Sequence, residues 1–311
     1  MEDYLVYLNN IVVNSEDGYL QPVYGIGLEQ RLTERQVETL AGYRGMGPVR
    51  VGNLAYGHLQ HDVYGNVVLA ASQSFFDRRL LRPATEQDFA NLEHLGDQAF
   101  RVYATPDASM WELRTRERVH TSSALMCWAA CDRLAKIAAH LHRPERAAHW
   151  SGRADRIRGD IEGRAWDAKR GSFVDSFGGS DVEAGLLLMA EVGFLPPGDP
   201  RFAGTVAEIG RRLRRGRHLF RYAAADDFGE PATAFNICTF WYIDALARLG
   251  RVAEARELFE HMLSCRNAFG LLSEDIDPQT HELWGNYPQT YSLVGIINAA
   301  MRLSGRWEEV V

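Results

Sequence analysis

The sequence predicts an all-α protein. Nine segments carry apolar residues at helical spacing, almost no stretch alternates apolar and polar residues, and helix caps or stops punctuate the intervals. In chain order, Leu54 to Ser74 comes first, with Leu54, Leu59, Val63, Val67, Val68 and Ala71 recurring as on a helix. Thr85 and Asp88 form a capping-box-like start for a helix to about Tyr103, because a threonine hydroxyl can accept from an otherwise unpaired N–H. Thr121 and Ser122 precede the apolar run Ala124 to Leu141, which holds Trp128, Leu134 and Ile137; the next helix runs from about Pro144 to Trp166. Ser180 or Asp181 is expected to cap a short helix ending near Gly193, where glycine tolerates the left-handed geometry of a C-cap. Arg201 to Arg215, Thr233 to Leu249, Val252 to Ser264 and Tyr287 to Leu303 complete the set.

The connections are uneven. Leu249-Gly250-Arg251 is a tight hairpin, whereas Asp17 to Asn53, Tyr103 to His120, Arg217 to Ala232 and Asn267 to Asn286 are long and rich in glycine, aromatics and charge. Long irregular loops on a helical scaffold are usually functional, and four of them suggest one shared cleft. The hairpin Phe240 to Leu263 resembles a repeat unit, but a solenoid repeats at a fixed period of about 34 residues and no regular copies occur. A closed α/α barrel tolerates unequal helix pairs better. No linker or composition break divides the chain, so residues 1–311 are expected to form a single domain.

Composition narrows the function. A net charge of −7 argues against a nucleic-acid surface, and the one dense basic stretch, Arg211 to Arg217, is broken by Gly216 and reads as a solvated helix end. The four cysteines, Cys127, Cys131, Cys238 and Cys265, lie in apolar runs without ligand spacing, which suits buried free thiols. MEDYLVYLNN lacks the pattern of a signal peptide, and no apolar run approaches the ~18 residues that span a bilayer. A reduced cytoplasmic protein with no membrane partner is expected.

Two loop carboxylates stand out: Glu112, beside Trp111 and just before a helix, and Glu274, just after one. Glycoside hydrolysis needs one carboxyl group that donates a proton to the leaving oxygen and a second, ionised one that activates water or attacks carbon. A tryptophan beside the first would raise its proton affinity and offer a face for sugar C–H groups. On residue type alone, two surface loop glutamates are the better reading.

Six motifs in order bear on that choice. Leu40-Ala41-Gly42-Tyr43-Arg44-Gly45, Pro48-Val49-Arg50-Val51-Gly52-Asn53 and Gln60-His61-Asp62-Val63-Tyr64-Gly65 open the series. Trp111-Glu112-Leu113-Arg114 follows, with Met126-Cys127-Trp128 through Asp132-Arg133 in the next helix. Then come Arg221-Tyr222, Asp226-Asp227 and Phe235 to Trp241; Leu271-Leu272-Ser273-Glu274-Asp275; and Gly285-Asn286-Tyr287-Pro288-Gln289-Thr290-Tyr291-Ser292 with Ile297-Asn298-Ala299-Ala300. Together these resemble the bacterial glycoside hydrolase family 15 series, and the chain is similar to the C-terminal part of that family's glucoamylase-like catalytic barrel.

The resemblance implies an (α/α)6 toroid-like barrel and inverting hydrolysis of α-linked glucosides. Inversion sets the two carboxyl groups about 6.5–9.5 Å apart. In that scheme Glu112 is the general acid, Glu274 the general base, and Arg221 a forked donor to sugar hydroxyls. Trp111 would wall the cleft and Tyr291 would stand near the base. Arg50 and Asn53 would bind substrate or form a structural pair at a helix start; Tyr43 and Arg44 are further substrate contacts. The substrates implied are short α-glucans, isomalto-oligosaccharides or a trehalose-like disaccharide. Four departures are notable: no R-D-A-S-type sugar-binding segment occurs in Met1 to Asn53, so the barrel is expected to lack its first helices, and Ala124, Thr115 and Met46 replace a usual Lys, Gly and Ser. A homo-oligomer or a second chain would then complete the barrel. The rival readings are a non-hydrolytic carbohydrate-binding barrel and an enzyme of different chemistry on a glycosylated or polycyclic substrate. Asp275 and Asp277 do not match an EF-hand spacing, and neither metal nor cofactor is expected.

Overall fold

The computed structural model describes residues 2–15, 18–114, 117–226 and 229–304; Thr115 and Asp227, both singled out above, lie outside them. Nine α-helices occur among the described residues, with only two-residue strands between them. The chain divides into two compact units, Met1–Ile161 and Glu162–Val311.

The first unit opens with α1 (Glu2–Val13), which buries Leu8, Ile11 and Val12 at i, i+3, i+4 spacing and lies outside the helices expected from periodicity. Strands β1 (Arg35–Gln36) and β2 (Arg50–Val51) pair antiparallel in the loop that follows. The helix expected over Leu54 to Ser74 is two elements: a 3₁₀ turn at Leu54–Gly57 and α2 (Asp62–Phe76). Asn53 caps the 3₁₀ turn by accepting the Ala55 N–H at 2.9 Å, and extended backbone at His58 ends it. Next are α3 (Glu86–Val102), begun by the expected Thr85–Asp88 capping box, α4 (Thr121–His140) and α5 (Pro144–Arg164). Every residue of α4 from Thr121 to Cys131 is buried, and α2 and α3 pack on it. α2 and α4 approach closely at Gly65, where a Cβ would run into the Met126 carbonyl. Trp150 of α5 is wholly buried against α3 and donates from Nε1 to Glu93 at 2.7 Å.

The second unit begins with the β3 (Trp166–Asp167) and β4 (Ser172–Phe173) hairpin. The short helix expected behind Ser180 or Asp181 is a 3₁₀ segment, Ala184–Met189, and its cap is the Glu183 carboxylate, which accepts from the Gly185 N–H at 2.6 Å. Then come α6 (Pro200–Leu213), β5 (Arg214–Arg215), β6 (His218–Leu219), β7 (Ala234–Phe235), α7 (Asn236–Arg248), α8 (Val252–Ser264), β8 (Asp275–Ile276), β9 (Leu283–Trp284) and α9 (Thr290–Leu303). The expected start of α7 at Thr233 falls early because Ala234 and Phe235 pair with β8 instead. α7 lies against α8 and α9. The basic run is charge-paired: Arg211 with Glu208, Arg212 with Asp181, Arg214 with Glu254 and Arg217 with Glu257, at 2.7–3.1 Å. All four cysteines are buried free thiols. α9 leaves Tyr291, Val294, Ile297 and Met301 exposed in one stripe. Among the described residues, no helix is long and apolar enough to cross a membrane.

Two glycine substitutions test this packing with opposite signs. Gly65→Ala overpacks the α2–α4 seam and is expected to destabilise by about 1–3 kcal/mol. Gly159→Ala on α5, where a Cβ meets nothing within 4 Å, is expected to stabilise by up to ~1 kcal/mol. Denaturant midpoints of the two variants check both.

Candidate active site

In the first unit, Glu112 sits at the tip of a tight turn. The Glu112 N–H donates to the Ser109 carbonyl at 3.1 Å and the Leu113 N–H to the Ala108 carbonyl at 2.9 Å. Closing this turn puts Ser109 at φ 63° and Glu112 at φ 56°, left-handed positions that cost a non-glycine residue roughly 1–2 kcal/mol each. Such strain persists only where surrounding contacts over-determine it. Here they are buried and polar. Asp107, wholly buried, accepts on Oδ2 from the His61 N–H at 2.8 Å and the Ser123 hydroxyl at 2.7 Å, and its main chain bridges Arg118. Ala108 donates to the Leu59 carbonyl at 2.8 Å. The Glu112 turn is thus tied to the starts of α2 and α4.

Burial governs the titration of this cluster. It lifts Asp62 to about 7, helped by the charge of Asp107 and, least, of Glu112. It raises Asp107 as well and drops His61 to about 4. Glu112 is exposed and Trp111 half-buried, and the carboxyls that burial raises are those of Asp62 and Asp107.

Glu34 links two of the motifs. It pairs with Arg50 at 3.3 Å and with Arg114 at 3.6 Å, bringing the Pro48–Asn53 loop to the Glu112 turn. Arg50 and Asn53 do not pair with each other in the contacts seen: Arg50 engages Glu34, and Asn53 caps the 3₁₀ turn. Tyr43 and Arg44 are exposed on the same loop, the guanidinium 5.7 Å from the ring centroid.

In the second unit, Glu274 immediately precedes β8, the central strand of the β7-β8-β9 sheet. Its carbonyl accepts from Asn236 N–H at 2.9 Å and its N–H donates to the Asn286 carbonyl at 2.8 Å. The side-chain Oε2 accepts two bonds from Asn286, main-chain N–H and Nδ2, both at 3.0 Å. Gly285 makes this possible: at φ 79°, a Cβ there would stand 2.9 Å from both Cβ and Oε2 of Glu274. The Ser273 carbonyl, one residue earlier, is held by Asn236 Nδ2 at 2.9 Å and the Ser292 hydroxyl at 2.7 Å, so the first turns of α7 and α9 fix the segment.

Arg221 stands near the neighbouring carboxylate, Asp275. Its guanidinium lies 5.5 Å from the Tyr222 ring centroid and 5.8 Å from that of Phe235, whose backbone pairs with Asp275. Burial raises Asp275 above the usual carboxylate range, with Arg221 opposing and Glu274 reinforcing that shift. Tyr291, in the first turn of α9, is 65% exposed and therefore no core residue. Each unit thus assembles its own share of the predicted residues: Tyr43, Arg44, Arg50, Asn53, Trp111 and Glu112 in the first, Arg221, Glu274 and Tyr291 in the second. Glu34, Asp62, Asp107 and Asn286 were not assigned roles from sequence. The signal that could have found Asp62 and Asn286 was their place inside the quoted motifs.

Asp62 gives a pH test. Its folded pKa is raised above the unfolded value, so the fold penalises the ionised form; stability is fully present below pH 3.8 and is lost as pH rises to about 7. Asp62→Asn is expected to flatten that decline, leaving the slope due to Asp107; denaturation midpoints across this range check it.

The profile of the Glycosyl hydrolases family 15 matches residues 2–301. A trehalase of Mycobacterium tuberculosis is 34% identical over 315 residues, covering 99% of this chain and 45% of that protein. A solved structure titled "Glycosidase Wild Type" superposes with a TM-score of 0.69 at 22% identity, over 83% of this chain and 72% of its own. The glucoamylase from Saccharomycopsis fibuligera does so with a TM-score of 0.64 at 13% identity, over 78% and 70%. The chain spans about half the length of the curated relatives it matches. The all-α, glucoamylase-like α/α fold class read from the sequence is the one these structures share. Matched over nearly its whole length, the chain belongs to glycosyl hydrolase family 15.

Proposed function

We propose that this chain hydrolyses a terminal α-glucosidic bond with inversion, and that a trehalose-like disaccharide is its substrate ahead of short α-glucans. The observation that carries the reading is the clamp of Asn286 on Glu274, which fixes the plane of a loop carboxylate as a general base requires. The trehalases among the relatives favour a disaccharide. Glu112 donates its carboxyl proton to the glycosidic oxygen as the bond to the anomeric carbon breaks. Glu274 takes a proton from a water whose oxygen bonds to that carbon from the opposite face, releasing β-glucose. Arg221 donates to sugar hydroxyls, its approach supported by the flanking rings of Tyr222 and Phe235. Trp111, Tyr291, Arg50, Tyr43 and Arg44 contact the sugar from exposed loops, and Asn53 holds its loop through the cap. The apolar stripe of α9 supports cover by a second chain or a second copy.

Anomer-resolved proton NMR of trehalose or maltose digests tests the reaction. The first sugar freed from maltose's non-reducing end is expected to be β; an α product would refute inversion. Glu274→Gln and Glu112→Gln should each lower kcat by about 10²–10⁴-fold. With α-glucosyl fluoride, whose leaving group needs little protonation, Glu112→Gln should regain activity and Glu274→Gln should not. Protein that binds these sugars without releasing glucose would favour the non-hydrolytic reading. Gly285→Ala, by displacing Glu274, is expected to reduce kcat about 10- to 100-fold with KM little changed.

A further inference from the structure

We propose that His218, His261 and His281 form a binding site for one divalent transition-metal ion, with zinc the best match. The three lie far apart in sequence: His218 in β6, His261 in the last turn of α8, and His281 in the connection from β8 to β9. One ring nitrogen from each falls within 4.8 Å of the others, and the ring centroids are 4.9, 5.5 and 5.1 Å apart. His261 Nε2 and His218 Nε2 are 3.1 Å apart. Two nitrogens bound tetrahedrally at ~2.05 Å stand about 3.3 Å from each other, so the pair is already near ligand spacing. Imidazole is also the ligand that suits zinc, copper and nickel.

Three further observations point to a ligand. His218 is 1% exposed, its Nε2 faces His261 Nε2 and its Nδ1 has no hydrogen-bond partner, so the imidazole packs in the interior with one nitrogen directed at the second histidine. His281 is exposed, which gives an ion a way in from solvent. His281 also stands at φ 59°, where glycine is the unstrained choice. Its turn is prepared for that conformation: the Asp277 carboxylate accepts from the Gln279 and Thr280 N–H groups at 2.8 Å each, and the Asp277 carbonyl accepts from the His281 N–H at 2.9 Å. Binding would replace an imidazole–imidazole contact by three nitrogen–metal bonds, with solvent in the fourth position. It would also cross-link β6, α8 and the β8–β9 connection. That connection separates Glu274 from Gly285 and Asn286, so the ion would brace the hairpin carrying the base without touching it. The site does not depend on the hydrolytic reading.

The test uses the full chain purified without a histidine tag and stripped with a chelator. Wild type is expected to bind one Zn²⁺ per chain, to gain several degrees in melting temperature with Zn²⁺, and to give intense visible absorption with Co²⁺, the mark of tetrahedral coordination. His281→Gly removes one ligand while relieving the left-handed backbone. In chelator it should melt no lower than wild type; with Zn²⁺ it should bind at least tenfold more weakly and lose the thermal gain. His261→Gln should likewise weaken binding. Absence of stoichiometric Zn²⁺ binding by wild type, or equal affinity in wild type and both variants, would overturn the proposal.

Discussion

Two N–H groups of a single residue, Asn286, end on one oxygen of Glu274, and much of the second unit is arranged so that they can. The approach needs a residue without a Cβ at position 285 and a strand on either side of β8. It also needs the Ser273 carbonyl to be drawn from two directions by the first turns of α7 and α9. Sites built on regular elements hold a side chain more tightly than sites on loops, and here a short sheet supplies that rigidity inside a helical fold. The strands contribute little area; their role is to set where a carboxylate stands.

The turn that carries Glu112 is held by another means. Among the described residues, a single bridge between Asp107 and Arg118 is its only sheet-like support. Its anchor is a buried carboxylate held on one oxygen by the main chain at His61 and the hydroxyl of Ser123. A low-dielectric setting strengthens such bonds and makes any unpaired member costly, so the arrangement has few alternatives. Glu34 extends it by joining Arg50 to Arg114 across two loops.

How much of this was legible in the sequence depended on the range of the interactions. Val252–Ser264 was read to the residue and Thr85–Asp88 as a cap, because apolar period and capping are local. Leu54 to Ser74 was read as one helix because periodicity does not register the extended residue at His58. Pairing of Ala234 with Ile276 and capping by Glu183 were missed for the same reason: the partner is distant, or the cap is a residue ordinarily placed inside a helix. Glu112, Glu274 and Arg221 were singled out through ordered motifs. Asp107, fixed by partners 46 and 16 residues away, leaves no comparable mark, and neither do three histidines drawn from separate elements.

The left-handed backbone at Ser109 and Glu112 behaves like a spring kept loaded by the polar cluster under it. Given freedom, the turn would relax to ordinary angles and aim the glutamate elsewhere while the surrounding helices stayed folded. Damage spread through the interface of α2 and α4 would therefore register first as a misdirected Glu112 and only later as lost structure. The orientation of this carboxyl group is borrowed from the core, and it is the first thing the core would give up.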